Sequence, residues 1–125
     1  MIRAVDAVLL NVPDLDLGLA FYRDLLGHTM LWRTATQAAL AMPDSSTELV
    51  LTTDHSAETD LLVDDLDAAV ARVERHGGRV VAAPADIPVG RLAVVLDPFG
   101  NQLVFIELSK GRFHTNDRGD VLGVA

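Results

Sequence analysis

Cysteine is absent from the 125-residue chain, which excludes disulfide scaffolds, thiolate zinc sites and cysteine nucleophiles. Aromatic residues are also few, with four Phe, one Tyr and one Trp. Basic residues are outnumbered, because ten Lys and Arg face eighteen Asp and Glu and leave a formal net charge of −8. Since cationic side chains supply most of the affinity for a nucleic-acid backbone, this balance argues against a nucleic-acid partner and favours a cationic ligand.

Long hydrophobic runs are missing as well. No apolar stretch approaches the roughly 20 residues that a membrane-spanning helix needs. The N-terminal stretch lacks the apolar core and the cleavage site of a signal peptide. We therefore expect a cytoplasmic protein with no membrane partner. Hydrophobic residues make up 50% of the chain, which predicts a single globular domain over residues 1–125.

An internal repeat organises the chain. The run Val12–Asp16 (VPDLD) recurs as Val63–Asp67 (VDDLD), at an offset of 51 residues. In each copy an apolar strand ends, one Asp can cap a helix, and a second Asp lies in the first helical turn. Apolar residues at helical spacing follow. The two helices are expected to end at the matched glycines Gly27 and Gly78.

Strand patterns around the two helices give each half the order βαβββ. Module 1 covers about residues 1–54, module 2 covers about residues 55–108, and a polar tail occupies residues 109–125. Within module 2, a loop is expected over Pro84–Gly90. The tail is open to three interpretations, namely a frayed end, a folded-back hairpin, or an arm on a partner subunit. A half of about fifty residues has too small a core to fold alone, so the modules must pack together or pair with another chain.

The combination of these motifs resembles the vicinal oxygen chelate superfamily of glyoxalases, bleomycin-resistance proteins and extradiol dioxygenases. The segments that carry the resemblance are Val12–Asp16, Phe21–Gly27, Val63–Asp67 and Asp97–Glu107. The resemblance implies an α+β fold in which two βαβββ modules form a curved mixed sheet around a pocket. Small members of this superfamily are usually homodimers whose pockets are built from both chains.

The resemblance also implies where a catalytic metal would be held. Catalytic members bind one divalent metal through His, Glu or Gln side chains from the first and last strands of each module. The corresponding positions here are Ala7, Thr53, Glu58 and Glu107. They offer two carboxylates, one hydroxyl and one methyl group, whereas a catalytic site of this kind typically has three protein ligands. We therefore expect no metal cofactor and favour a protein that is not an enzyme. If a divalent metal is bound, Glu58 and Glu107 are the expected ligands.

A ligand pocket can still be outlined from the residues. Trp32 is the only Trp, and its strand lines the pocket in relatives, so its indole is either a stacking platform or a core or dimer-interface residue. Arg91 lies at the end of the loop that starts at Pro84, and such loops often rim a binding site. Phe99 occupies a tight turn. The predicted ligand-binding residues are Trp32, Thr53, Glu58, Arg91, Phe99 and Glu107.

Three functions are compatible with this pattern. The first, which we favour, is a metal-free homodimer that resembles the bleomycin-resistance branch and binds a small planar or cationic molecule in a cleft, as an antibiotic-resistance protein would. The second is a lyase, isomerase or dioxygenase that depends on a divalent metal and has an incomplete ligand set. The third is a structural or regulatory module with a vestigial pocket.

Overall fold

The computed structural model describes every residue from Met1 to Ala125, and the chain divides into two compact units. The first unit comprises Asp6–Glu58 and Phe113–Gly123. The second unit comprises Met1–Val5, Thr59–Arg112 and Val124–Ala125. The first unit thus contains most of residues 1–54 and most of the tail, and the second unit contains most of residues 55–108 together with Met1–Val5.

The secondary structure is the mixture of strands and helices that the sequence predicts. Neither α-helix has the length and apolar character needed to cross a membrane. The helical elements are α1 (Leu15–Leu19), a π-helical segment (Ala20–Leu25) and α2 (Leu66–Arg75). The strands are β1 (Ala4–Asn11), β2 (Met30–Arg33), β3 (Gln37–Met42), β4 (Ser45–Thr52), β5 (Glu58–Leu62), β6 (Arg79–Ile87), β7 (Gly90–Leu96), β8 (Gln102–Glu107), β9 (Phe113–Thr115) and β10 (Val121–Val124).

The first unit is a βαβββ module whose strands lie in the order β2-β3-β4-β1. Strands β1 and β4 are parallel, while β2–β3 and β3–β4 are antiparallel. Helix α1 packs on one face of this sheet through Leu15 and Leu19, which contact Leu40 and Leu51. The opposite face carries a second apolar cluster, which is described with the candidate site.

The first helix differs from the uniform α-helix that its apolar spacing predicts. Asp14 caps it as expected, because its carboxylate accepts a hydrogen bond from the Leu17 backbone N–H at 3.0 Å. Beyond Leu19 the turns widen, and the N–H of Leu26 donates to the carbonyl of Phe21, five residues back. The spacing of apolar residues predicts which side of a helix is buried. It does not distinguish an α-helical turn from a π-helical turn, which contains about one more residue.

The second unit repeats the module with the strand order β5-β8-β7-β6. Strands β5 and β8 are parallel, and the remaining pairs are antiparallel. Helix α2 buries Leu66 and Val70 against Val95 and Phe105 of the sheet. Its cap is the predicted one, since the carboxylate of Asp65 accepts a hydrogen bond from the Ala68 N–H at 3.0 Å.

Two predictions for the second unit are wrong. Most of the loop expected over Pro84–Gly90 is strand, because β6 continues to Ile87 before a tight turn into β7. A proline is tolerated there because β6 is an edge strand with irregular register, where an N–H is not needed for the ladder. The glycine with positive φ after α2 is Gly77, at 96°, whereas Gly78 has a different role. A Cβ on Gly78 would lie 2.5 Å from the Leu96 carbonyl oxygen, so Gly78 permits close backbone packing.

The tail adopts one of its three predicted alternatives, a hairpin that folds back. Strands β9 and β10 pair with each other, and the inner residues Phe113 and Val121 pack on the first unit. The backbone N–H of Arg33 in β2 donates to the Gly119 carbonyl at 2.7 Å. The part of this tail from Phe113 to Gly123, which we call the C-terminal hairpin, is therefore part of the first unit.

Candidate functional site

Glu107, one of the predicted ligands, lies on the helix-covered face of the second unit. It ends β8, in which Leu103 and Phe105 contact α2, so strand alternation places Glu107 on the same face. Its Oε1 accepts a hydrogen bond from the backbone N–H of Leu66 at 3.0 Å. A carboxylate at this position satisfies a donor in the first helical turn and opposes the positive end of the helix dipole.

Arg91 belongs to the same polar group as Glu107. It lies opposite Glu107 in the β7–β8 ladder and holds both carboxylate oxygens of Asp67 in α2, at 2.9 and 3.0 Å. The hydrogen bonds from Arg91 lower the pKa of the Asp67 carboxyl below its ordinary value. The same pairing with Asp67, assisted by Glu107, raises the pKa of Arg91. Arg91 and Glu107 thus secure the N-terminus of α2 to the sheet.

The opposite face of the second unit carries a carboxylate that sequence reasoning missed. Asp60 in β5 is only 6% exposed and pairs with Val104, whereas its neighbour Leu61 belongs to the helix-side core. Strand alternation therefore directs Asp60 away from α2. The half-buried Glu58 precedes Asp60 by two residues in the same strand and follows the same alternation. Counting alternate residues from Leu61 could have identified this acidic side of β5.

The first unit presents an apolar face on the side away from α1. Its buried residues, which we call the Trp32 face, are Ala7, Leu9, Trp32, Ala39 and Val50. Trp32 is 8% exposed, and its indole N–H donates to Glu48 Oε1 at 3.1 Å. Its ring lies 4.7 Å from the ring of Phe113, at an interplanar angle of 59°. The indole is therefore covered by the chain's own C-terminal hairpin.

Thr53 and Phe99, the remaining predicted contacts, lie in turns. The Thr53 hydroxyl donates to the Thr36 carbonyl at 3.1 Å, which ties together the ends of two strands. Phe99 is 87% exposed in the turn from Asp97 to Asn101. Hydrogen bonds from the Asn101 side chain, and from the backbone N–H groups of Asn101 and Phe99, lower the pKa of the Asp97 carboxyl. The turn is thus held by Asp97 and presents Phe99 to solvent.

Comparison with known proteins identifies the family. Residues 4–105 match the model of the Glyoxalase/Bleomycin resistance protein/Dioxygenase superfamily. The chain belongs to this superfamily. It is 35% identical over 107 residues to an uncharacterized protein of Mycolicibacterium smegmatis, covering 81% of this chain and 90% of that protein. It is 31% identical over 123 residues to lactoylglutathione lyase of Neisseria meningitidis, covering 82% and 89%.

Solved structures agree on the fold. The crystal structure of methylmalonyl-CoA epimerase from Mycobacterium tuberculosis matches with a TM-score of 0.73, covering 86% of this chain and 89% of that one. The sequence identity in this comparison is 22%. The likeness confirms the glyoxalase-like arrangement of βαβββ modules that the sequence predicts.

The residues that the sequence resemblance aligns with metal ligands do not fit a metal ion. Ala7 has no donor atom and lies among apolar side chains. The Thr53 hydroxyl and the Glu107 carboxylate are engaged by the protein's own backbone. No group of three or more His, Cys, Asp or Glu side chains is arranged to hold a metal ion. The donor set therefore falls short of the three protein ligands that such sites use.

The second unit also contains a cavity of about 400 Å³. It lies beyond the carboxyl ends of the parallel strands β5 and β8, and its walls include Leu62–Asp64 and Glu107–Ser109 together with Arg3 and Arg112. Arg3 is paired with Asp64 at 2.7 Å. The cavity is thus lined by two arginines and two carboxylates, whose charges balance. The charge of its lining therefore favours neither an anionic nor a cationic ligand.

Proposed function

We propose that this superfamily member binds a small planar organic molecule on the Trp32 face without a metal ion. The observation that carries the proposal is that Ala7, which the sequence resemblance aligns with a metal-ligand position, lies in an apolar cluster with Trp32. An apolar face with one indole binds a ring through dispersion and stacking. In this proposal the molecule is held on the face without chemical change.

Charge favours a cationic version of this ligand. The chain has a net charge of −8, which raises the local concentration of cations and speeds their association. The resemblance to bleomycin-resistance proteins supports a ligand of small-molecule size. The 31% identity to lactoylglutathione lyase supports it too. A protein that sequesters a planar cationic antibiotic in this way would make the cell that expresses the protein resistant to that antibiotic.

A homodimer is part of the same proposal. Leu17, Phe21 and Leu25 are exposed large apolar residues, and they recur every fourth residue along the first helical region. Strand β6 adds a nine-residue edge to the second unit. Such surfaces are usually covered in stable proteins. Light scattering coupled to size-exclusion chromatography should give twice the chain mass of 13.4 kDa, and a mass of one chain would contradict the dimer.

The direct test is a calorimetric titration of chelator-treated protein with cationic glycopeptide-type antibiotics and with neutral planar dyes. Saturable binding is expected for the wild type and for Leu122→Ala, which truncates a side chain that is 68% exposed and has no predicted ligand contact. Binding should weaken at least tenfold in Trp32→Leu, because the stacking platform is lost. Absence of heat with every compound, or equal binding by the two variants, would reject the proposal.

A further inference from the structure

The Trp32 face already has an occupant, and that occupant is part of the same chain. Phe113 and Val121 on the inner side of the C-terminal hairpin pack against the Trp32 face. The Phe113 ring stands 4.7 Å from the Trp32 ring. Trp32, which these residues help to cover, is 8% exposed. Any ligand that stacks on Trp32 therefore competes with Phe113 for the same surface.

The hairpin is attached to the first unit by few interactions. Arg33 donates its backbone N–H to the Gly119 carbonyl at 2.7 Å and pairs with Asp120 in an isolated bridge. The hairpin's own turn is closed by Asn116, whose Oδ1 accepts hydrogen bonds from the N–H groups of Arg118 and Asp120. A two-stranded hairpin is only marginally stable by itself. Elements held by few buried contacts are the ones that open locally while the rest of a protein stays folded.

We infer that the C-terminal hairpin is a displaceable internal occupant of the Trp32 face, and that the ligand of this face carries an aromatic ring with a branched aliphatic group. This inference rests on the proposed function. The ligand chemistry follows from the hairpin's inner side, where a phenyl ring and an isopropyl group make the contacts. Because only the open state accepts the ligand, the apparent affinity is reduced by the fraction of molecules that are open.

The test uses Phe113→Ala in the full chain, with Leu122→Ala as a matched control. Leu122 lies in the same hairpin but is 68% exposed. The probe is N-phenylnaphthylamine, a neutral aromatic dye, and energy transfer from Trp32 reports its binding near the indole. We expect several-fold stronger acrylamide quenching of Trp32 and about tenfold tighter dye binding in Phe113→Ala. Leu122→Ala should match the wild type in both measurements.

A second variant tests the same inference without depending on the folding of Phe113→Ala. The native chain has no cysteine, so Arg33→Cys combined with Asp120→Cys introduces a single possible disulfide between two bridge-paired residues. Oxidation should hold the hairpin closed and abolish dye binding, and reduction should restore it. Circular dichroism checks that the fold is unchanged in every variant.

The outcomes separate this inference from the proposed function. Equal dye affinity in the wild type, Phe113→Ala and the oxidised double variant would overturn displacement and leave binding on the protein intact. Failure of every variant to bind either the dye or the cationic antibiotics, with Trp32 accessible to acrylamide in Phe113→Ala, would overturn the binding function itself. An unchanged Trp32 quenching constant in a folded Phe113→Ala protein would show that the hairpin does not shield the indole, and would also overturn the inference.

Discussion

The side chain of Glu107 and the backbone of Leu66 are joined by a 3.0 Å hydrogen bond that connects the last core strand to the start of α2. The resemblance to the superfamily made Glu107 a candidate metal ligand. In the structure it lies on the helix side of the sheet and completes the first turn of α2. A residue type that suits a metal ligand therefore serves as a structural cap.

Replacement of Glu107 by Ala should lower the free energy of unfolding by about 1 kcal/mol, the usual cost of removing a side-chain acceptor at a helix N-terminus. Glu107→Gln should cost less, because its amide oxygen can still accept from the Leu66 N–H. Urea unfolding measures both changes. The control is Glu74→Gln, an exposed substitution in the last turn of the same helix, which should leave stability close to that of the wild type. Unchanged stability of Glu107→Ala would remove the capping role.

The Asp67–Arg91 pair should be visible in the pH dependence of stability. Because Arg91 lowers the pKa of the folded Asp67 carboxyl, the pair stabilises the protein above the unfolded pKa of about 3.9, and this contribution disappears as the pH falls through the folded pKa. In Arg91→Gln, carboxyl-carbon NMR should find the pKa of Asp67 moved up towards its ordinary value. The stability difference between wild type and variant should shrink in acid. A pKa of Asp67 that is equal in both proteins would contradict this account.

The close packing at Gly78 predicts an unusually sensitive position. A Cβ there would lie 2.3 Å from Val73 Cγ1 and 2.5 Å from the Leu96 carbonyl oxygen. Gly78→Ala should therefore cost about 1–3 kcal/mol, the range for an overpacked site. Gly123→Ala is the matched control, since no atom lies within 4 Å of a Cβ at that position. Thermal unfolding should give a lower melting temperature for Gly78→Ala than for Gly123→Ala. Similar melting temperatures would mean that the backbone at Gly78 can move away from Val73 and Leu96 to make room for a Cβ.

The sequence predicted the two modules because their signals are local. Asp14 and Asp65 each cap a helix through the residue three positions away, and Gly27 takes the expected left-handed conformation with φ of 85°. The second glycine was misassigned because Gly77 and Gly78 are adjacent. Gly77 provides the positive φ, and Gly78 allows the backbone of Leu96 to approach closely. The sequence alone does not show which of two adjacent glycines meets which requirement.

The candidate site is harder to predict. It depends on which face of its strand each side chain occupies, and on contacts between residues that are far apart in the sequence. The motif places Glu107 at the end of β8, but only alternation from Phe105, which contacts α2, reveals the face it occupies. The contact between Trp32 and Phe113 joins residues that are 81 positions apart in the chain. No local pattern encodes that pairing, which is why the tail remained open to three interpretations.

The most direct test of the central claim is the metal content per chain, measured by elemental analysis of protein purified without a chelator and without a nickel column. Metal-free binding on the Trp32 face predicts far less than one transition-metal ion per chain, and no uptake after Zn, Ni or Mn is added and the excess removed. A near-stoichiometric metal would contradict the claim. It would favour the alternative of a metal-dependent lyase, isomerase or dioxygenase.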